Sequence, residues 1–187
     1  MSGSSHDGPA GDPGEAASLR GATPYDLWLW RQETAQRLED LCARLLDAGT
    51  AEGCRAAAPE FLRLTRRFLT LRLTGVAADR RQAFEQRVPP AGGLAVAALW
   101  AEVFWAARAA APEDGSGVLE EADAAIRGLL GLSPADLAGP EAVRTWWARL
   151  QQVEETLAGL EVQAQAALEA RREAYEDALE VRRSGTS

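Results

Sequence analysis

The sequence predicts an all-α protein, and three observations carry that expectation. Apolar residues recur at helical spacing in one segment after another, no strand-like alternation occurs, and no hairpin dipeptide separates two apolar runs. No internal repeat stands out. At 187 residues the chain is long enough to bury a substantial core in one domain. The pattern divides it into a disordered tail (1–22), a helical bundle (23–139) and a long C-terminal helix (140–183), part of it packed on the bundle and part projecting.

The elements follow in order. "MSGSSHDGPAGDPGEAASLRGA" has too little apolar surface to offset the entropy of ordering, hence the disordered tail. "TPYD" is a helix start, with Thr23 as N-cap, Pro24 in the first turn and Asp26 near the positive end of the dipole. This helix is expected to run to about Ala48, with Trp30, Thr34, Leu38, Leu41 and Leu45 on one side and Gly49 as the stop. Pro59 is expected to open "PEFLRLTRRFLTLRL", whose stripe is Phe61, Leu64, Phe68 and Leu71. Gly75 should interrupt it, and "VAADRRQAFEQR" should continue as a shorter helix. "PPAGG" at 89–93 is the clearest break. "LAVAALWAEVFWAARAAA" (94–111) carries only Glu102 and Arg108 as charges, but it is short and weakly hydrophobic for a membrane span, so a central buried helix is expected. After the loop "PEDGSG", "VLEEADAAIRGLLGLSP" is a helix closed by Gly131, Ser133 to Leu137 adds a turn, and Gly139-Pro140 launches the last helix.

In that last helix Val143, Trp146, Leu150, Val153, Leu157, Leu160, Ala164 and Ala167 fall on heptad a and d positions, a coiled-coil-type seam. The apolar phase then shifts to Leu168, Tyr175 and Leu179, as in a stutter. A helix from 140 to 182 spans roughly 65 Å, more than the ~30 Å of a small domain. Its projecting part is therefore expected to seek a partner, with Val143, Trp146, Trp147, Leu150, Val153, Leu157 and Leu160 as the interaction seam. The competing arrangement folds the helix back on the first one, covering its head but hardly its tail. Trp147 stands beside Trp146 and widens the stripe. Trp28, Trp30, Trp100 and Trp105 are expected to pack against the pair.

Composition narrows the function classes. All twenty cationic side chains are arginine, which with the alanine content fits coding bias in a GC-rich bacterial genome. A net charge of -8 disfavours nucleic acid as a partner. Cys42 and Cys54 lie among leucines and alanines, the setting of small buried side chains. The polar opening segment is no secretion signal, so a cytoplasmic protein is expected. His6, in the tail, is the only histidine, which leaves a catalytic triad, a histidine acid or base and a histidine metal site without support. No glycine-rich phosphate loop occurs, and Glu120-Glu121 and Glu154-Glu155 have the pattern of solvated faces. The expectation is a non-enzyme with no cofactor, no metal and no small-molecule substrate. Charge is uneven: eight arginines lie between Arg55 and Arg87 against Glu60, Asp79 and Glu85, while 102–141 holds eight acids against Arg108 and Arg127. The two regions can face each other within the fold. Alternatively Arg63, Arg66, Arg67 and Arg72 form a basic face for nucleic acid or an acidic protein.

Two stretches carry a family resemblance. "YDLWLWRQETAQRLEDL" (25–41) is similar to the tryptophan-bearing helix of the accessory, non-catalytic subunits of polyhydroxyalkanoate synthases, the PhaE and PhaR type. "EEADAAIRGLLGLSPADL" followed by "VRTWWARLQQVEETLAGLE" resembles that family's helix, short leucine-proline turn and terminal coiled-coil segment. "LAGPEAV" lengthens the turn, and residues 61–111 have no counterpart. The resemblance implies a chain that binds and activates a synthase whose catalytic cysteine lies in another subunit, near a polyester granule. A generic helical adaptor or oligomerisation module is the alternative, and an arginine-rich nucleic-acid binder the third.

Overall fold

The computed structural model describes residues 22–84, 95–110 and 116–184. Within them lie five α-helices and no strand: α1 (Pro24–Ala48), α2 (Ala51–Phe84), α3 (Val96–Ala110), α4 (Ser116–Gly131) and α5 (Pro140–Ser184), with a 3-10 turn at Pro134–Leu137. The chain is all-α. Residues 1–21 of the expected tail (1–22), the break at "PPAGG" and most of the loop "PEDGSG" lie outside the described residues.

The start of α1 is set by a reciprocal cap. The Asp26 N–H donates to Thr23 Oγ1 at 3.2 Å, and the Thr23 N–H donates to Asp26 Oδ2 at 2.9 Å. At the other end Gly49 takes φ 60° and its N–H donates to Leu45 O, a left-handed termination that glycine adopts without a Cβ penalty. Only Thr50 separates Gly49 from α2, so α1 and α2 are adjacent helices joined by a tight turn.

Two sequence expectations about α2 are corrected. The helix starts at Ala51, not at Pro59, and Thr50 Oγ1 accepts from the Gly53 N–H at 3.1 Å. Proline within a helix costs about 3 kcal/mol. Here "AEGCRAAA" is rich in good helix formers, and Cys54 and Ala58 are buried, so propensity and packing together offset that cost. Gly75 does not interrupt the helix either, because α2 runs through it to Phe84. Neighbouring packing holds the backbone there: Leu73, Val76 and Ala77 are all buried.

The central helix is α2, not α3. Arg63 is the only exposed residue between Phe61 and Ala77, so this stretch is covered on nearly every side. α1, α3, α5 and the 3-10 turn all pack on α2. α3 instead buries one face, through Leu99, Trp100, Val103 and Ala107, and leaves Trp105 61% exposed. Trp100 Nε1 donates to Asp123 Oδ1 at 2.9 Å, which ties α3 to α4. The 3-10 turn is pinned by Asp136, which accepts from the Ser133 N–H at 2.8 Å, and by Leu137, fully buried under α2 and α5.

α5 runs antiparallel to α1 and parallel to α2: Arg31 lies by Glu161 while Leu38 lies by Leu150, whereas Arg72 meets Glu154 and the Gln82 carbonyl meets Arg171. Val143, Leu150, Val153, Leu157, Leu160 and Ala164 are all buried against α1, α2 and α4. The expectation that this seam waits for a partner is therefore corrected for Val143, Leu150, Val153, Leu157 and Leu160, which the chain's own helices bury, while Trp146 and Trp147 are half-buried. Beyond it, every residue from Glu169 to Ala178 is exposed, nearly three turns, with Arg171 reaching back to the Gln82 carbonyl.

Two substitutions check this packing. Leu157 is fully buried, so Leu157→Asp would bury a carboxylate without a partner; thermal melts by circular dichroism should show a loss of about 3 kcal/mol or more, with helicity falling rather than surviving. A Cβ added at Gly75 would meet nothing within 4 Å, so Gly75→Ala should stabilise the chain by about 1 kcal/mol through helix propensity. A lower melting temperature for that variant would contradict an uninterrupted α2.

Candidate interaction groove and its buried charges

"TWWARL" places two tryptophans about 100° apart on α5. They face different neighbours. Trp146 lies against Gly128 of α4, where a Cβ would meet the indole at 3.4 Å, and the Arg149 guanidinium sits over the Trp146 ring at 4.4 Å. Trp147 turns towards α1 and forms one wall of an open groove of about 460 Å³ between α1 and α5. Both rings are half-buried against the core. The expected aromatic cluster around them is corrected. Trp105 is exposed on α3, and Trp28 is exposed and stacked on Tyr25 with centroids 5.9 Å apart. Trp100 is buried at the α3–α4 contact.

The groove is amphipathic. Its floor is Leu38, Phe68 and Leu150, and its α1 wall adds Ala35. Its rim is acidic, with Glu39 on α1 and Glu154 and Glu155 on α5, while Arg31 stands at one end.

Beneath the rim lies a charge cluster that sequence reasoning missed. Arg72 is 2% exposed, and its Nε donates to both oxygens of Glu154 at 2.9 and 2.8 Å. Its Nη1 donates to Glu161, and Arg31 Nη1 approaches the same carboxylate at 3.7 Å. Burial opposes the charge on Arg72, but the hydrogen bonds and charges of Glu161 and Glu154 outweigh it and raise its pKa. Arg80, one more buried cation on this side of α2, donates to Leu160 O at 3.5 Å. A signal existed in the sequence: Leu69, Arg72, Val76 and Arg80 follow one helical stripe, so both arginines occupy core positions.

This arrangement corrects the basic face. Arg72 lies nine residues from Arg63, about 180° round the helix, and belongs to the interior. Arg63 is exposed beside Glu60 at 3.9 Å, and Arg66 and Arg67 are half-buried, so the four arginines do not share one open surface. Cys42 and Cys54 are free and buried, and burial together with Glu39 pushes the Cys42 thiol up to about 12, which suppresses its nucleophilic form. Among the described residues no group of three His, Cys, Asp or Glu side chains could hold a metal ion, and no helix is long and apolar enough to cross a membrane.

Asp79 gives the cluster a pH signature. Burial, and secondarily the charge of Glu161, raises its pKa above the ordinary 3.8. A carboxyl whose folded pKa is raised binds more protons in the folded state, so its contribution to stability falls as pH rises from 3.8 through the folded value. Asp79→Asn should therefore raise the melting temperature at pH 7 and converge with the parent chain below pH ~3.8. Equal melting temperatures at neutral pH would remove Asp79 from this account. Among proteins of known family, curated function or solved structure, none matches the chain: no family model, no curated sequence and no solved fold.

Proposed function

We propose that the chain is a non-catalytic helical interaction subunit that binds and activates the catalytic subunit of a polyhydroxyalkanoate synthase, in the cytoplasm and at the polyester granule. The observation that carries the interaction reading is the α5 arm, where Glu169 to Ala178 are exposed on every side. Apart from the Arg171 contact to the Gln82 carbonyl, these turns offer a partner a long, regularly spaced set of exposed side chains. The stacked, exposed Tyr25 and Trp28 add apolar surface on α1, within the stretch that resembles the accessory subunits. The choice of a synthase as partner rests on that resemblance, at 25–41, 120–137 and 143–161.

A generic oligomerisation module is the second reading, favoured by the same arm. Nucleic acid is not favoured, because Arg72 is committed to Glu154 and Glu161 inside the fold.

Co-expression with a synthase catalytic subunit, followed by co-purification and a turnover assay, tests the proposal. The full chain should co-purify and raise turnover. Removing residues 169–187 should abolish both while the bundle's melting transition stays within about 1 kcal/mol of the parent. No effect of the full chain on turnover would overturn the synthase reading. Loss of self-association on truncation, seen by light scattering, would favour the oligomerisation module.

A further inference from the structure

The groove between α1 and α5 has a polarity that selects an occupant. Its floor of Leu38, Phe68 and Leu150 and its Trp147 wall are apolar, and it is open along the two helices rather than enclosed. Its charges do not cancel. Glu154 is occupied by Arg72, and Arg31 is drawn to Glu161. Around the groove Glu39, Glu154, Glu155 and Glu161 stand against Arg31 and Arg72, four acids against two arginines, a balance of -2. The excess resides in Glu39 and Glu155, one on each wall, both exposed and neither in an ion pair among the described residues.

We propose that this groove is the docking site for a helical segment of a partner protein that presents a large apolar side chain with an arginine or lysine one turn away. The apolar side chain fills the space over Leu38, Phe68 and Leu150 beside the Trp147 ring. The cation bridges Glu39 and Glu155. This is helix-in-groove recognition, in which apolar anchors supply affinity and flanking charge supplies register and partner choice. It deepens the interaction-subunit reading, on which it rests, by naming the chemistry of the partner.

Charge argues against the other occupants. Residues 1–21 carry Asp7, Asp12 and Glu15 against Arg20, which an acidic rim repels. A second copy brings another net charge of -8.

The test uses the full chain, labelled with nitrogen-15, and two alanine-based helical peptides. One carries a tryptophan and an arginine four residues apart; its twin has glutamate in place of the arginine. The arginine peptide should shift the Trp147 indole N–H and the amides of Glu39 and Gln151 saturably. The twin should bind roughly tenfold more weakly or worse, a difference of about 1.4 kcal/mol. The double variant Glu39→Gln, Glu155→Gln alters only exposed side chains and should weaken the arginine peptide similarly, as should raised salt. Absence of a saturable shift, shifts confined to other surfaces, or equal binding of the twin would overturn the proposal. So would a shift of the same amides on deleting residues 1–21, which would mark the chain's own segment as occupant. Dissociation of a dimer by the double variant would instead mark a second copy. Synthase activation that persists in the double variant sinks the groove assignment alone; peptide binding without any synthase effect sinks the synthase reading alone.

Discussion

A guanidinium enclosed within a helical core must be neutralised where it lies, and Arg72 sets that requirement for the whole bundle. Its two carboxylate partners, Glu154 and Glu161, are seven residues apart on α5, about 10.5 Å along the helix, and Arg72 reaches both. Sliding α5 by one turn would move each carboxylate by about 5.4 Å and leave a buried charge unmatched. Apolar packing alone discriminates less sharply against such a slip, because it is non-directional and Leu160 would come near the place of Leu157. The ion cluster discriminates sharply. It fixes α5 against α2, and with α5 fixed, the Arg31–Glu161 approach fixes α1 as well.

That register decides what each tryptophan touches. At the head of α5, Trp146 meets α4 at Gly128. Trp147, a third of a turn away, meets α1 and becomes a groove wall. Two large apolar side chains side by side are thus the natural solution for a helix wedged between two neighbours. A single seam would have covered only one of them. The same wedge leaves a cleft on the α1 side, walled by the Trp147 indole, and the cleft takes its net acidity from Glu39 and Glu155.

Periodicity made the helices legible, and local chemistry made three of their ends legible: the Thr23–Asp26 cap, the Gly49 stop and the Pro140 start are all found where the sequence puts them. What failed were inferences that treat a residue's local tendency as decisive. Pro59 and Gly75 are helix-breaking types, but α2 is surrounded by other helices, and burial outweighs a local penalty of a few kcal/mol. The groove and the charge cluster could not be read from the heptads, because a heptad pattern says that a seam is apolar but not whether it is covered by the same chain or another. Arg72 falls on the apolar stripe of α2, but arginine is rarely buried without a partner, and that partner lies more than eighty residues away in sequence.

The shift of apolar phase near Ala164 has a structural meaning. A strict seven-residue repeat drifts by about 20° per heptad on a straight α-helix, so the stripe gradually leaves the face it started on. From Val143 to Ala164 the bundle covers that stripe, and the buried residues end at Ala164. The restart at Leu168, Tyr175 and Leu179 returns apolar residues to the side facing the bundle's axis just where cover runs out; Leu168 and Leu179 are half-buried, while Tyr175 is 66% exposed. What keeps this arm helical is propagation rather than packing. The turns before it are already nucleated by the core, and alanine, glutamate, arginine and leucine make up most of "LEARREAYEDALEVRR", each among the better helix formers. The Arg172–Glu176 pair at i, i+4 adds a small increment. An arm sustained in this way needs little packing of its own, and the Arg171 bond to the Gln82 carbonyl ties its first turn to α2.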